Sequence, residues 1–271
     1  MRFRFDRLPD VNKTVGEVAG HLRGHGRELD RPESLDKSGK TIREMFSAVA
    51  PRYDLLNRLL SARLDVVWRR RAATALRLAP NARVLDLCSG TGDQAMAIRK
   101  RHGARVAAGD FCVPMLALAR RKFAQIDHPR PANLASDALG LPFAERSFDA
   151  ATVSFGLRNV ADLGGALGEI RRVLKPRGEL VVLEFALPRS RLLKRAYRFY
   201  FERVLPAIGR VVSHRGSAYR YLPDSVGRFP QREKFLAAMI AAGFDEVSWQ
   251  DLSFGVVCLY RGRRKGCCGG E

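Results

Sequence analysis

The residues with the clearest capacity for chemistry follow four short apolar segments of the sequence. Each segment has the composition of a buried strand and is followed at once by acidic, small or hydroxyl-bearing residues, as in "VLDLCSGTGD" and "ATVSFGLRN". The carboxyl ends of parallel strands share one edge of a sheet, and ligands bind in the crevice beyond them. The sequence therefore predicts one site built from these ends, which carry Asp86, Gly90, Gly92, Asp110, Asp137 and the stretch 154–159.

The first of these turns carries a glycine pattern that two classes of cofactor site share. Gly90 and Gly92 with Ala95 match G-x-G-x-x-G/A, in which a helix N-terminus holds the pyrophosphate of a dinucleotide. Asp93 follows at that helix N-terminus and Asp86 ends the strand, so two carboxylates would repel a pyrophosphate. A ligand with a cationic amino acid end and no phosphate suits them better. We therefore expect S-adenosylmethionine, contacted by Asp86, Gly90 and Gly92, and disfavour a dehydrogenase.

Two further acidic residues lie where a nucleoside would be held. Asp110 ends the second strand, where a carboxylate can accept hydrogen bonds from both ribose hydroxyls, and it could also cap the helix that follows. Asp137 follows the third strand, where a carboxylate can accept the exocyclic amine of adenine. The competing interpretation of Asp137 is a plain turn residue.

The elements that must position these residues alternate between strands and helices after Pro80. Five strand segments separated by helical segments predict a parallel sheet with helices on both faces, and "DEVSWQDL" and "GVVCLYRGR" predict a closing antiparallel pair. The predicted fold class is thus α/β and Rossmann-like, with a mostly parallel seven-stranded sheet. We expect the ligand at the point where the strand order reverses.

The chain before this sheet divides into two parts. Residues 1–40 are polar and lack sustained periodicity, which predicts a mobile N-terminal extension. From Thr41 the pattern is helical, with a break at Pro51. The residues expected on the buried side of these helices are Ile42, Met45, Phe46, Val49, Leu56, Leu59, Leu60, Val67 and Leu76. At the other end, residues 264–271 predict a disordered tail, with Cys267 and Cys268 reduced.

Four longer motifs give the sequence a specific resemblance. "FSAVAPRYDLLN" (46–57), "SFGLRNV" (154–160), "RVLKPRGELVVLEF" (172–185) and "YRYLPDSV" (219–226) resemble the ubiquinone/menaquinone biosynthesis C-methyltransferase family of class I S-adenosylmethionine methyltransferases. The likeness covers residues 41–263, the predicted methyltransferase domain. It departs from the family pattern at Asp137, where the family has Asn, and around Cys88 and Ser89.

The resemblance implies S-adenosylmethionine as cofactor and a methyl transfer to a ring carbon of a polyprenylated quinol. Carried over residue by residue, it implies cofactor contacts at Thr91, Asp110, Asp137, Ala138 and Ser154. It leaves open whether the acceptor is demethylmenaquinol, the benzoquinol of the ubiquinone pathway, or both.

Such an acceptor becomes nucleophilic at carbon when its phenolic hydroxyl ionises. A cation beside the hydroxyl lowers its pKa, and Arg158 fits this role by position and charge. Guanidinium does not accept protons, so the proton leaves through water or through a second catalytic residue, for which Tyr221, Tyr219 and His214 are candidates. We expect Gly156 to let the flat ring approach, and Asn159 to be structural.

The charge and the substrate class point to a membrane surface. The chain has 48 Lys and Arg against 28 Asp and Glu, a net charge of +20, and no apolar run long enough to span a bilayer. Residues 189–215 form a basic segment with interleaved aromatics, typical of interfacial helices, although a lid over the site would have the same pattern. We expect a cytoplasmic protein, peripheral at the inner face of an anionic membrane.

Several alternatives stay open or are disfavoured. A small-molecule O-methyltransferase and an inactive cofactor-binding subunit remain alternatives. A nucleic-acid methyltransferase is disfavoured because "SFGLRN" lacks the Pro and aromatic box in which a flipped base stacks, so we expect no nucleic-acid partner. The cysteine spacing fits no metal site, and the oligomeric state is open, a homo-oligomer included.

Overall fold

The computed structural model describes residues 37–126, 129–200, 203 and 217–266. These residues form one mostly parallel sheet with helices packed on it. The strands are β1 (Arg83–Leu87), β2 (Arg105–Asp110), β3 (Ala132–Ala135), β4 (Phe148–Ser154), β5 (Leu174–Phe185), β6 (Phe244–Leu252) and β7 (Val257–Arg264). The helices are α1 (Gly39–Val49), α2 (Tyr53–Leu60), α3 (Leu64–Ala75), α4 (Asp93–His102), α5 (Val113–Phe123), α6 (Leu163–Val173), α7 (Arg191–Phe199), α8 (Ser217–Arg228) and α9 (Glu233–Ala241).

The seven strands follow the order β3-β2-β1-β4-β5-β7-β6. The first five are parallel, whereas β7 runs antiparallel to both β5 and β6. The strand order reverses between β1 and β4, so the crevice at this point opens beyond the carboxyl ends of both. The predicted fold class, including the closing antiparallel pair, is confirmed.

The sheet is apolar on both faces, as a parallel sheet covered by helices requires. Successive residues of β1 and β4, such as Val84 and Leu85 or Ala150 and Ala151, are fully buried on opposite faces. One core cluster packs β4 and β5 against α6 and α9, and the other packs β1 and β2 against α3 and α4. This burial fixes the register of the strands and therefore the position of their ends.

The carboxyl ends of β1 to β4 do meet at one edge. Leu87 of β1 pairs with Val153 of β4 and with Gly109 of β2, so Ser154 and Asp110 come one residue after the pairs on either side of β1. Asp110 in turn pairs with Ala135 of β3. The residues after these pairs therefore surround one crevice.

The prediction that Leu59 and Val67 face the core is wrong. Leu59 is 56% exposed and Val67 is 47% exposed, whereas Leu56 and Leu76 are buried as expected. The period fails at Val67 because the chain breaks at Ala62 and Arg63, whose φ values of 47° and 65° are left-handed. Leu59 lies before this break and is exposed within α2 itself. After the break, α3 buries the face that carries its tryptophan, Trp68, and turns Val67 outward.

The expected mobility of residues 1–40 and of the tail 264–271 falls almost entirely outside the described residues. The basic segment 189–215 is described through residue 200 and at residue 203, and its first part is helix α7. Among the residues that the structure describes, no helix has the length and hydropathy needed to cross a bilayer.

Candidate active site

A small cavity of about 130 Å³ with several polar groups on its wall, here called the cofactor cavity, lies beyond the ends of β1, β2 and β4. Residues from the strand ends and the turns after them form one side of its wall. The candidates from the sequence found there are Gly90, Asp110, Asp137, Ala138 and Ser154. Helix α1 and the start of α2 supply the other side, with Lys37, Gly39, Ile42, Phe46 and Tyr53.

Asp110 is held rigidly at the edge of this cavity. Its Oδ2 accepts a hydrogen bond from the Gly90 backbone N–H at 2.8 Å, and its Oδ1 accepts one from the Cys112 backbone N–H at 2.8 Å. Burial raises the pKa of Asp110, although these backbone donors act against the rise. The N-cap of α5 is Cys112, so Asp110 does not cap this helix but fixes the residue before it together with the glycine loop. Its carboxylate still has lone pairs for a ligand, and its contact with the ribose stays a prediction.

Asp137 also serves a turn and the cavity at once. Its Oδ1 accepts a hydrogen bond from the Leu139 backbone N–H at 2.9 Å, which closes the turn after β3. The residue nevertheless lies on the cavity wall. Each carboxylate oxygen accepts more than one hydrogen bond, so the turn contact leaves acceptor capacity for a ligand amine.

Three polar side-chain atoms on the cavity wall have no hydrogen-bond partner among the described residues. They are Ser136 Oγ, Ser154 Oγ and Asn159 Oδ1, all buried from water. A buried polar group without a partner costs free energy, so such groups in a native fold call for a ligand or a bound water. Asn159, which the sequence assigned to structure, thereby joins the candidate binding residues.

Asp86, Thr91 and Gly92 lie near the cofactor cavity but are not part of its wall. Asp86 is fully buried beneath the glycine loop, where its Oδ1 accepts a hydrogen bond from Thr152 Oγ1 at 2.7 Å. Burial raises the pKa of Asp86 to about 7, although the Thr152 bond and the charge of Arg69 act against the rise. The structure thus gives Asp86 contacts below the loop, and a cofactor contact at these three residues stays a prediction.

The glycine loop is tied to α2 by a network of charges. Lys122 Nζ lies 2.6 Å from Asp54 Oδ2 and 2.7 Å from Asp93 Oδ1, and Arg58 Nη2 lies 2.7 Å from Asp93 Oδ2. The Thr91 hydroxyl donates to Asp54 Oδ1 at 2.6 Å. We call these five residues the loop network.

The loop network overturns one reason given for the cofactor. Asp93 was expected to face the cationic end of the ligand, but its carboxylate is occupied by Lys122 and Arg58. Burial would raise its pKa, but the charges of Arg69 and Lys122 outweigh that effect and hold the pKa below its usual value. Because two cations compensate its charge, Asp93 by itself no longer argues against a pyrophosphate at this helix N-terminus.

Glycine is required in this region for packing as well as for access. Gly92 has a φ of +82°, and a Cβ there would lie 2.5 Å from the Phe123 ring. A Cβ on Gly156 would lie 2.4 Å from that of Cys88. Gly156 lines the cofactor cavity next to Phe155, which both cavities share, and the expectation that it admits the acceptor ring stays a prediction.

A second cavity, here called the acceptor cavity, adjoins the first and is much larger and more apolar. Its volume is about 570 Å³, and Phe46, Tyr53 and Phe155 belong to the walls of both cavities. Helices α1, α2, α3, α7 and α8 and the turn after β6 contribute most of its wall. Its aliphatic and aromatic residues include Met45, Val49, Leu56, Leu60, Leu64, Trp68, Phe185, Tyr197, Tyr200, Leu222, Phe254 and Val256.

Arg158 and Tyr221, the two catalytic candidates from the sequence, both lie on the wall of the acceptor cavity. Arg158 Nη1 donates to Glu184 Oε1 at 2.7 Å and also to the Phe155 carbonyl, and its guanidinium lies 5.3 Å from the centroid of the Phe185 ring. Glu184 is fully buried. A molecule in this cavity therefore meets a positioned Arg–Glu pair, and not an isolated cation. His214 and the side chain of Tyr219 lie outside the described residues.

Sequence reasoning missed Lys37 and Tyr53 as residues of the site. Both lie on the wall of the cofactor cavity, although they precede the sheet by many residues. Burial lowers the pKa of Lys37, and the charge of Arg228 lowers it further. The signal for Tyr53 was present, since it lies inside one of the motifs that carried the family resemblance. No pattern singled out Lys37.

Comparison with known proteins agrees with this geometry. Residues 34–264 match the ubiE/COQ5 methyltransferase family. The chain belongs to that family. It is 52% identical over 222 residues to the demethylmenaquinone methyltransferase of Thermus thermophilus, a match that covers 81% of this chain and 100% of the relative. It is 46% identical over 233 residues to the ubiquinone/menaquinone biosynthesis C-methyltransferase UbiE of Geobacter sulfurreducens, covering 85% of this chain and 91% of the relative.

The fold is shared with more distant enzymes. A crystal structure of a SAM-dependent methyltransferase from Thermotoga maritima matches with a TM-score of 0.58 at 22% sequence identity, covering 82% of this chain and 99% of that chain. Family membership makes this chain an S-adenosylmethionine-dependent methyltransferase, and its function is a methylation in quinone biosynthesis. The predicted family, enzyme class and cofactor are confirmed.

The residues of the cofactor cavity fit S-adenosylmethionine. The unpartnered oxygens of Ser136, Ser154 and Asn159 are acceptors for its ammonium, amine or hydroxyl hydrogens. Asp110 and Asp137 add carboxylate acceptors to this wall, and Lys37 adds a cation, the group that a carboxylate requires. Gly90 brings backbone without a side chain to the same wall.

Proposed function

We propose that the chain transfers the methyl group of S-adenosylmethionine to a ring carbon of a polyprenylated quinol. The observation that carries this proposal is the pairing of a small cavity that holds carboxylates and unpartnered hydroxyls with a larger and more apolar one, with Phe155 on the wall of both. An acceptor cavity of about 570 Å³ suits a ring with the first units of an isoprenoid tail. The names of the relatives support a demethylmenaquinol, a ubiquinone-pathway benzoquinol, or both as the acceptor.

The cofactor cavity supplies binding groups for each part of the methyl donor. Bound S-adenosylmethionine supplies an activated methyl group on its sulfonium sulfur. Asp110 takes the ribose hydroxyls, and Asp137 with Ala138 takes the adenine edge. Ser154 lies at the end of β4, next to Phe155 and the acceptor cavity. Lys37 pairs with the carboxylate of the donor, which offsets the burial of its ammonium group.

Arg158 acts on the acceptor through its guanidinium. Five N–H groups belong to a guanidinium, and the contacts with Glu184 and Phe155 use those of Nη1. The remaining donors stabilise the phenolate that forms when the acceptor hydroxyl ionises, and the phenolate pushes electron density onto the ring carbon. Glu184 fixes the position of Arg158 and reduces its net charge. Tyr221, on the same cavity wall, is the candidate to relay the hydroxyl proton, which its own hydroxyl accepts while it donates its hydrogen to water. After the transfer the methylated ring carbon loses its hydrogen to water as a proton, which restores the aromatic ring.

The protein works at a membrane because its acceptor has a long isoprenoid tail. Helix α7 presents exposed Leu192, Leu193 and Phe199 beside exposed Arg191 and Lys194. Helices with this composition bind the interface of anionic bilayers. The proposed location is the cytoplasmic face of the membrane, where the protein binds peripherally.

A transfer assay tests the function. The protein is incubated with S-adenosylmethionine labelled in its methyl group and, in separate reactions, with short-tail demethylmenaquinol and short-tail demethylated benzoquinol. Label in the organic phase with either quinol supports the proposal, and the ratio of the two rates identifies the preferred ring. Tight cofactor binding without transfer to either quinol would instead favour an inactive cofactor-binding subunit.

A further inference from the structure

The turn after β6 has a strained backbone and exposes the side chain of Phe254 to solvent. Ser253, Phe254 and Gly255 have consecutive left-handed φ values of 47°, 60° and 86°. The side chain of Phe254 is 84% exposed. Left-handed φ is unfavourable for residues with a Cβ, and an exposed phenyl ring gains nothing from water. Strain that is kept at an exposed apolar residue points to a role for that residue.

Neighbouring side chains hold this turn in place. Ser253 Oγ accepts a hydrogen bond from Trp68 Nε1 at 2.8 Å, and the Gly255 carbonyl accepts one from Arg232 Nη2 at 3.3 Å. Trp68 and Arg232 are themselves buried in the fold. The exposure of Phe254 is therefore imposed by a rigid scaffold.

The exposed phenyl ring stands at the mouth of the acceptor cavity. Phe254 and Leu64 both belong to the wall of this cavity, and both are also exposed to solvent. Residues with both properties mark the place where the cavity opens. Anything that covers Phe254 and Leu64 consequently controls what enters.

The helices beside this mouth carry further apolar residues that the core does not use. Helix α2 lines the acceptor cavity with Leu56 and Leu60, yet its Leu55 is 63% exposed and Leu59 is exposed as well. Helix α3 begins with exposed Leu64 and Val67. We call the five exposed residues Leu55, Leu59, Leu64, Val67 and Phe254 the apolar rim. Leu64 and Phe254 share the cavity mouth, and α2 packs against α3. Exposed apolar residues on such neighbouring elements are candidates for an interaction site.

The charges around the apolar rim are positive. The same two helices and their flanks expose four arginines, which are Arg52, Arg63, Arg70 and Arg71. The acidic residues of this segment are engaged elsewhere, since Asp54 pairs with Lys122 and Asp65 is buried against Arg58. Apolar residues surrounded by exposed cations are complementary to an anionic lipid surface.

We propose that the apolar rim inserts into the surface of an anionic membrane and places the mouth of the acceptor cavity against the lipid. This surface includes none of the exposed residues of α7, although Tyr197 and Tyr200 pack against α2, and its strained turn is at Phe254. A second copy of the chain is a poorer occupant, because the arginines would repel each other and the contact would close the cavity mouth. The inference that this contact helps a lipid-borne quinol to enter the cavity rests on the proposed function, whereas the lipid contact itself does not.

The substitution Phe254→Gly tests the proposal without weakening the fold. Glycine accepts the left-handed φ of this position, so the thermal stability of the variant should equal or exceed that of the original protein. Its binding to vesicles of equal parts phosphatidylcholine and phosphatidylglycerol should fall about tenfold, the loss expected for one buried phenyl ring. Val113→Ser, which removes an exposed apolar residue of α5 away from both cavities, is the matched control and should bind like the original.

Two further arms decide between lipid and other occupants. High salt, or vesicles of phosphatidylcholine alone, should weaken binding of the original protein, because the arginines contribute to it. Unchanged vesicle binding by Phe254→Gly overturns the proposal. Loss of self-association in Phe254→Gly, with vesicle binding intact, overturns it in favour of a second copy.

Activity separates this inference from the proposed function. Leu55→Ser removes an apolar-rim residue that lines neither cavity. Its turnover of a short-tail quinol in solution should equal that of the original, whereas its turnover of a long-tail quinol in vesicles should fall. If the original protein methylates no quinol but Phe254→Gly still loses vesicle binding, the proposed function fails and the membrane surface stands. If vesicle binding of Phe254→Gly and long-tail turnover of Leu55→Ser are both unchanged, the membrane surface fails and the function stands.

Discussion

The two cavities of this enzyme are built on different principles. The cofactor cavity is small, and its polar groups come largely from strand ends whose register is fixed by a fully buried sheet. The acceptor cavity is about four times larger, mostly apolar, and walled largely by helices and turns that pack on the edge of the sheet. In the cofactor cavity, a polar ligand contacts hydrogen-bonding groups whose positions are fixed by the sheet. In the acceptor cavity, a long apolar ligand contacts helices and turns, which move more easily than strand ends.

Arg158 combines features of both cavities, because it is a charged group held in a fixed position on the wall of the apolar cavity. Glu184 orients the Arg158 guanidinium. Glu184 is fully buried and would be an unpaired charge without Arg158. Substitutions at the two residues therefore separate chemistry from stability.

The largest effect is expected for Arg158→Ala. Turnover should fall on the order of 10²–10³-fold while the affinity for S-adenosylmethionine is unchanged, because the lost donor acts on the acceptor and not on the cofactor. The unpaired Glu184 should also lower the free energy of unfolding by about 3 kcal/mol. Rates with a short-tail quinol, cofactor titration and chemical denaturation measure the three quantities.

The double variant Arg158→Ala with Glu184→Gln is the control for this prediction. Removing the second charge should restore most of the stability without restoring turnover. Recovery of turnover in the double variant would show that Arg158 serves the fold alone.

The next largest effect concerns Asp86, beneath the cofactor loop. Its pKa is raised to about 7 in the folded chain, against an ordinary value of 3.8. Between these pH values the folded state holds a proton that the unfolded state has released, so the contribution of Asp86 to stability declines as the pH rises through this window. Relative to Asp86→Asn, which cannot ionise, the original protein should lose on the order of 2–4 kcal/mol of unfolding free energy from pH ~4 to pH ~7.

Urea denaturation of both proteins across this range measures that difference. The comparison with Asp86→Asn removes the contributions of other carboxylates, such as Asp93, whose pKa is lowered and whose effect on stability has the opposite sign. A pH-independent difference between the two proteins would contradict the buried position of Asp86.

A smaller effect is expected at the ends of β2 and β3. Asp110→Asn should weaken binding of S-adenosylhomocysteine about 10- to 100-fold, because the amide nitrogen would face one of the two backbone donors that Asp110 accepts. Asp137→Asn is the matched control, since its oxygen still accepts from Leu139, and its affinity should change by about twofold at most. Isothermal titration measures both affinities. Equal losses of affinity in the two variants would contradict the different hydrogen-bonding roles of Asp110 and Asp137.

The smallest effect should come from the loop network, which joins α2 to the glycine loop. Lys122→Met removes two ion pairs that are partly exposed, so we expect a loss of about fivefold in cofactor affinity, or ~1 kcal/mol. Lys175→Met is the matched control, because its ion pair with Asp149 lies at the opposite edge of the sheet. A loss of equal size in the control would indicate general destabilisation instead of a looser α2.

The sequence predicted the cofactor side better than the acceptor side, for a physical reason. Strand ends are local features, and the parallel-sheet rule brings Asp110, Asp137 and Ser154 together without further information. Lys37 and Tyr53 reach the same cavity through the packing of α1 and α2, which local periodicity does not encode, although Tyr53 lies in one of the family motifs. The prediction for Val67 failed because it carried one helical period across the break at residues 61–63.

Electrostatic partners were also beyond the sequence. The sequence singled out Asp93 and Arg158 as charged residues near the site. It did not indicate their partners Lys122 and Glu184, which lie 29 and 26 residues away along the chain. Those partners change the roles of both residues: Asp93 secures α2, and Arg158 acts as half of a pair.

The central claim is that the methyl group reaches a ring carbon of a quinol held in the apolar cavity. The most direct test uses S-adenosylmethionine with a ¹³C-labelled methyl group, short-tail demethylmenaquinol as acceptor, and NMR of the extracted product. The account predicts an aryl methyl signal and a product that keeps both ring hydroxyls. A methoxy signal would assign the chain to O-methylation and contradict the role proposed for Arg158.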